Sequence, residues 1–94
     1  MAERFRRTLF GGGARSSDGY VVLFNSRSSI EYRDAVGKVI VSAEGLATPR
    51  TLALHAECMW CDSQEGALMD DEARRIQIIE RLRKAASFCG LNLV

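Results

Sequence analysis

Residues 71–90 read Asp-Glu-Ala-Arg-Arg-Ile-Gln-Ile-Ile-Glu-Arg-Leu-Arg-Lys-Ala-Ala-Ser-Phe-Cys-Gly, and their apolar positions recur every three or four residues. This period predicts one amphipathic helix with an apolar stripe along one side. An aspartate at position 70 or 71 suits the first turn, and Gly90 favours a left-handed stop, so we expect the helix to span residues 71–89. The expected stripe comprises Ile76, Ile79, Leu82 and Ala86, with Ile78, Ala85 and Cys89 beside it.

Upstream of the helix the apolar period shortens to two, which is typical of strands. Strands are predicted at Tyr20–Phe24, Ser29–Arg33 and Lys38–Glu44, and a fourth strand places an apolar residue at every second position from Leu52 to Trp60. A short last strand follows the helix at Leu91–Val94. The order β-β-β-β-α-β predicts an α+β domain with a mainly antiparallel sheet and the C-terminal helix packed on one face.

The length of 94 residues fits one domain. Residues 1–19 combine four arginines with two acids, a net charge of +2, and contain a run of three glycines. This composition predicts a flexible basic arm. The single α+β domain is then expected to span residues 20–94.

Composition excludes several classes of protein. Thirteen basic and twelve acidic residues give a net charge of +1, which does not favour a nucleic-acid binder. No apolar run approaches the roughly 18 residues of a membrane span. The N-terminus starts basic, as a secretion signal does, but its apolar part is too short and is interrupted by glycines. Three cysteines do not make a disulfide framework. We therefore expect a cytoplasmic protein with reduced thiols and no membrane contact.

The residues able to carry chemistry form no catalytic motif. Cys58 and Cys61 have the spacing of a redox pair, but on a strand their side chains point to opposite faces and no helix begins there. His55, Cys58, Cys61 and Cys89 are the nominal ligands for zinc, yet strand alternation separates His55 from Cys58. The alternative is that Cys58 and Cys89 are small buried apolar residues. If His55 acted as a general base, Glu57 is the only nearby carboxylate in the sequence that could orient it. We predict no catalytic residue, cofactor or metal.

The helix carries a basic cluster that could attract phosphates. Acids four residues away, in the pairs Asp71 with Arg75 and Glu80 with Lys84, favour a solvated and self-paired surface instead. We therefore do not expect nucleic-acid binding by the helix, and such binding would depend on the arginines of the arm. The basic residues of the helix are Arg74, Arg75, Arg81, Arg83 and Lys84.

One segment of the body is strongly acidic. Between Arg50 and Arg74 the sequence has no lysine or arginine but six acids. Helix capping and ordinary loop solvation explain some of them. The alternative is an acidic, partly aromatic docking surface for a basic partner. Its candidate partner-binding residues are Glu57, Trp60, Asp62 and Glu65.

Residues 20–94 resemble small bacterial immunity proteins of polymorphic toxin systems, most nearly the family called immunity protein 74. The similar features are the early strands Tyr20–Asn25 and Ser29–Arg33, the strand ending at Trp60, the acidic loop, the helix of residues 71–85 and the C-terminal segment Phe88–Val94. The resemblance implies a non-enzymatic antidote that binds and neutralises a cognate toxin. A small nucleic-acid-associated regulator using the arm, or a structural homodimer, remains open.

Overall fold

The computed structural model describes residues 3–8, 12–24, 28–61, 67–68 and 71–94, without the side chains of 56–61 and 67–68. These residues form one sheet of eight strands and one helix, which confirms the α+β prediction. Strands β1 to β7 lie side by side in chain order and pair antiparallel, while β8 pairs in parallel with β6. The elements are β1 (Phe5–Arg7), β2 (Gly13–Ser16), β3 (Val21–Leu23), β4 (Ser29–Arg33), β5 (Lys38–Gly45), β6 (Thr51–Cys61), β7 (Ala67–Leu68), α1 (Glu72–Phe88) and β8 (Asn92–Leu93).

Both ends of α1 follow the local signals in the sequence. The Asp71 side chain accepts a hydrogen bond from the backbone amide of Arg74 at 3.1 Å, which satisfies a free donor of the first turn. Gly90 adopts a φ of 75° directly after the helix. Arg50 then donates to the carbonyls of Cys89 and Gly90, each at 2.8 Å. Arg50 therefore holds the chain just after α1 from a position about forty residues upstream.

The core lies between α1 and one face of the sheet. Ile76, expected on the apolar stripe, is instead 52% exposed, and Ile79 is only half-buried. The spacing of four, three and four residues from Ile78 to Cys89 defines the buried stripe and turns Ile76 towards solvent. The buried residues of the helix side are Ile78, Leu82, Ala85, Ala86 and Cys89; those of the sheet include Ala14, Tyr20, Val22, Ile30, Tyr32, Val39, Val41 and Ala43.

The predicted arm is wrong, because β1 and β2 belong to the sheet. Ala14 is fully buried in the core, and Phe5 packs against it while stacking on Phe88 at 5.4 Å between ring centroids. Gly13 permits close pairing, since a Cβ there would lie 2.5 Å from the Val22 carbonyl oxygen. The domain boundary expected at Tyr20 is corrected accordingly. The arginines made this segment resemble a flexible arm, although Phe5, Ala14 and Ser16 lie on the core side of β1 and β2.

Strand β6 pairs with β5 in two registers. Ala43 is paired with Leu54, but Val41 is paired with Met59, so the pairing shifts between Val41 and Ala43. Between these two pairs β5 has one residue and β6 has four, so the two strands do not keep one register over the length expected from Leu52 to Trp60. Leu54, before the shift, packs against the core as expected.

Candidate binding face of the sheet

The sheet has two unlike faces. In the described residues α1 is the only helix, and it packs on the face that carries Val22, Tyr32 and Val41. Residues that alternate with these on each strand point away from the helix. We call this second surface the open face. Its side chains from β1 to β5 include Arg6, Arg15, Val21, Leu23, Glu31, Arg33, Lys38 and Ile40.

A row of basic residues crosses the open face. Strand pairing places Arg6 opposite Arg15, Arg15 opposite Val21, Val21 opposite Arg33 and Arg33 opposite Lys38. Four of these five positions are basic. At about 4.8 Å between neighbouring strands, the row spans about 19 Å. We call the four residues Arg6, Arg15, Arg33 and Lys38 the basic row.

Apolar side chains lie within and beside the basic row. Val21 interrupts the row, and Leu23 and Ile40 lie on either side of Glu31 in the next row of paired residues. All three apolar residues are half-buried, and they lie apart from the residues that pack on the core. The open face therefore combines apolar area with concentrated positive charge.

One end of the basic row is neutralised within the chain. Glu31 pairs with Arg33 at 2.7 Å, between Oε2 and Nε, and with Lys38 at 3.4 Å, between Oε1 and Nζ. Like charges placed directly opposite on a sheet repel one another. A single carboxylate thus offsets the repulsion between Arg33 and Lys38.

On the helix-covered side, basic residues of α1 bind polar and acidic residues of β4, of the β4–β5 turn and of the segment before β1. Arg74 binds both carboxylate oxygens of Asp34 at 2.9 Å, and Arg81 donates to the Tyr32 hydroxyl at 2.6 Å. Lys84 lies 3.6 Å from Glu3, between Nζ and Oε1. The expected pairing of Lys84 with Glu80 along the helix is therefore corrected, because the partner of Lys84 is Glu3, just before β1.

Asp34 is the centre of this second cluster. Its carboxylate also accepts hydrogen bonds from the Tyr32 hydroxyl at 2.7 Å and from the backbone amides of Val36 and Gly37 at 2.9 and 3.2 Å. Burial alone raises the pKa of Asp34, but these hydrogen bonds and those from Arg74 outweigh it and hold the pKa well below 3.8. The cluster joins the β4–β5 turn to α1, so its role is structural.

The described aromatic rings are packed with the core or the helix. Tyr20 stacks on Tyr32 with 5.7 Å between centroids, and the Arg81 guanidinium lies 4.7 Å from the centre of the Tyr20 ring. Phe24 also packs against the core. Together with the stacked pair of Phe5 and Phe88, this places these rings away from the open face.

The structure does not describe the side chains of the acidic site predicted from the sequence. Glu57 and Trp60 lie on β6, where Trp60 is the register partner of Ile40. Their side chains are not described, and Asp62 and Glu65 lie outside the described residues. The acidic docking surface therefore stays a prediction.

Of the candidate chemical groups, the structure describes the side chains of His55 and Cys89. His55 lies 3.9 Å from Glu44, between Nε2 and Oε2, and Cys89 has a free buried thiol whose pKa is raised by burial. Within the described residues, no three His, Cys, Asp or Glu side chains group in a way that could hold a metal. In the same part of the chain, no helix has the length and apolar character of a membrane span.

No protein-family model, curated protein or solved structure matches this chain.

Sequence reasoning missed Arg6 and Arg15 as site residues because it assigned them to the arm. The available signal was a short alternation in β2, where Ala14 and Ser16 flank Arg15, with the apolar Phe5 beside Arg6 in β1. Such short alternation over three or four residues is weak unless the partner strand is known. Strand pairing supplied that partner.

Proposed function

We propose that this chain is a non-enzymatic protein-binding module that docks its partner on the open face. The observation that carries the proposal is the half-buried group of Val21, Leu23 and Ile40 beside the basic row. Protein interfaces typically combine an apolar centre with a polar, charged rim. The open face has both parts on one rigid sheet, which lowers the entropy cost of association.

The most specific form of this proposal is an antidote that binds and neutralises a cognate toxin in the cytoplasm. It is supported by the resemblance of residues 20–94 to small immunity proteins. Neutralisation by binding requires a stable surface and no reacting group in the antidote itself.

Nucleic acid is a less suitable partner for the open face. Binding of single strands depends on aromatic rings that stack on bases as well as on positive charge. The rings of Tyr20, Tyr32 and Phe88 instead pack on each other, on the core or on Phe5. The combination of charge with aliphatic side chains favours a protein.

The test is co-expression with the product of the large open reading frame that adjoins the gene. Wild type should rescue growth and capture that product in a pull-down. The double variant Leu23→Thr, Ile40→Thr keeps strand propensity but removes apolar contact area, so affinity should fall about tenfold or more. Val36→Thr is the matched control, because Val36 is 77% exposed in the β4–β5 turn.

A second variant tests the acidic surface predicted from the sequence. Asp62→Lys, Glu65→Lys reverses two charges and leaves every residue assigned to the open face unchanged. Loss of rescue by this variant alone, with the apolar double variant behaving as wild type, would assign docking to the acidic segment. A non-toxic neighbour would contradict the antidote, and a toxic neighbour that wild type neither captures nor neutralises would do the same.

A further inference from the structure

The two ends of the basic row differ in how their charge is balanced. Arg6 and Arg15 are directly opposite each other on β1 and β2, as Arg33 and Lys38 are on β4 and β5. Directly opposed residues have Cβ atoms about 5 Å apart, so each pair concentrates positive charge. Glu31 bridges Arg33 and Lys38. In the described part of the chain, no carboxylate pairs with Arg6 or Arg15.

The Arg6–Arg15 pair borders a cavity. This cavity has a volume of about 430 Å³, and Arg4 and Ser17 also line it. Arg4, Arg6 and Arg15 are exposed, so their guanidinium groups are hydrated and accessible to a ligand. The nearby acid Glu3 is already engaged, accepting a hydrogen bond from the Ser16 hydroxyl and pairing with Lys84.

We propose that Arg6 and Arg15, with Arg4 beside them, form a carboxylate-binding site that receives an Asp or Glu side chain of the partner protein. The proposal rests on the proposed function and names the chemistry of the partner at one end of the open face. Glu31 bridges Arg33 and Lys38 within the chain. The partner carboxylate bridges Arg6 and Arg15 in the same way. Arginine is suited to this role because its planar fork binds a carboxylate through two parallel hydrogen bonds.

Continuity with the apolar residues favours a protein carboxylate over other anions. Val21 is the next residue of the row after Arg15, and Leu23 is one row away. An acidic side chain seated at Arg6 and Arg15 therefore brings its own chain over apolar area. A free phosphate gains nothing from that area, and a nucleic acid would need rings that the described open face lacks.

The experiment uses the full chain and hexaglutamate as the probe. Amide chemical shifts are followed by nuclear magnetic resonance at about 0.01 M ionic strength, where charges are screened over about 30 Å. We expect shifts concentrated in β1 and β2 and a weak affinity that falls about tenfold in Arg6→Gln and in Arg15→Gln, because each variant removes charge-assisted hydrogen bonds. Arg33→Gln is the matched control and should change affinity less than about twofold, since Glu31 already occupies that arginine.

Three results would overturn the site: equal loss in Arg33→Gln and Arg15→Gln, shifts outside β1 and β2, or tighter binding of inorganic phosphate or oligothymidylate than of hexaglutamate. Failure of the site and failure of the function are distinguishable. A partner captured equally by wild type and Arg6→Gln, Arg15→Gln would reject the carboxylate site while keeping the binding module. Hexaglutamate binding at Arg6 and Arg15 without any captured partner would support the site and count against the function.

Discussion

Asp34 receives both hydrogen-bonding arms of the Arg74 guanidinium, at 2.9 Å each, although the two residues are forty positions apart. The side chains of Asp34 and Arg74 are only 8% and 16% exposed. This pair therefore fastens the β4–β5 turn to the first turns of α1. It is more buried than the Arg81–Asp34 and Lys84–Glu3 pairs.

Removing the carboxylate should destabilise the protein. Asp34→Asn leaves the guanidinium of Arg74 largely buried without its counter-charge, which typically costs about 3 kcal/mol or more. Urea unfolding measures the change in free energy. Asp18→Asn, at an exposed aspartate, is the control and should shift the value by less than about 0.5 kcal/mol. A similarly small change for Asp34→Asn would show that the pair adds nothing to stability.

Stability should decline in acid because of the same group. The pKa of Asp34 is lower in the folded chain than its ordinary value of 3.8, so the unfolded chain takes up the proton first as the pH falls. The contribution is complete above about pH 5 and is lost progressively as the pH drops towards the folded pKa. Urea unfolding between neutral and acidic pH checks this. Asp34→Asn should show a shallower decline than wild type, and parallel curves would contradict the assignment.

Two tyrosines form a matched test of hydroxyl groups in the core. The Tyr32 hydroxyl bonds to Asp34 and Arg81, so Tyr32→Phe should cost about 1.5 to 3 kcal/mol, the range for hydrogen bonds to charged groups. The Tyr20 hydroxyl is buried and makes no hydrogen bond of full geometry in the described residues, although Glu3 and Ser16 lie close enough to influence its pKa, which burial raises. Tyr20→Phe should therefore cost less than Tyr32→Phe. Equal destabilisation by the two variants in urea would show that the Tyr20 hydroxyl also has a strong partner.

Three isoleucines of α1 measure the orientation of the helix. Ile78 is fully buried, Ile79 half-buried and Ile76 mostly exposed. Substitution of Ile78 by alanine should cost about 2 to 5 kcal/mol, because it removes buried methyl groups and leaves a cavity. Ile79→Ala should cost less, and Ile76→Ala less than about 0.5 kcal/mol. Chemical denaturation that ranks Ile76 above Ile78 would mean that another side of α1 meets the sheet.

Phe5 tests whether the N-terminal segment is part of the domain. Its ring stacks on Phe88 and meets Tyr20 edge to face at 6.2 Å between centroids. Phe5→Ala should cost about 2 to 3 kcal/mol, somewhat below the range for a fully buried phenylalanine. A flexible arm predicts no change. The melting temperature distinguishes the two, with Val36→Ala at an exposed position as the control.

Elements whose signals are local could be predicted from the amino-acid sequence alone. The helix bounds depend on Asp71 and Gly90, which act on the backbone within one turn. Strand β4 was predicted at Ser29–Arg33, where the structure has it, because Ile30 and Tyr32 alternate with polar neighbours over a full strand. The α+β class followed from the order of these elements.

Which charged residues pair with one another depends on the tertiary fold. Arg6 faces Arg15 and Arg33 faces Lys38 through strand pairing, while Asp34 reaches Arg74 across forty residues. Local patterns place each residue on a strand or helix, but they do not set the register between strands or the docking of α1. Both depend on how the whole apolar surface is buried, which placed β1 and β2 in the sheet and turned Ile76 outward.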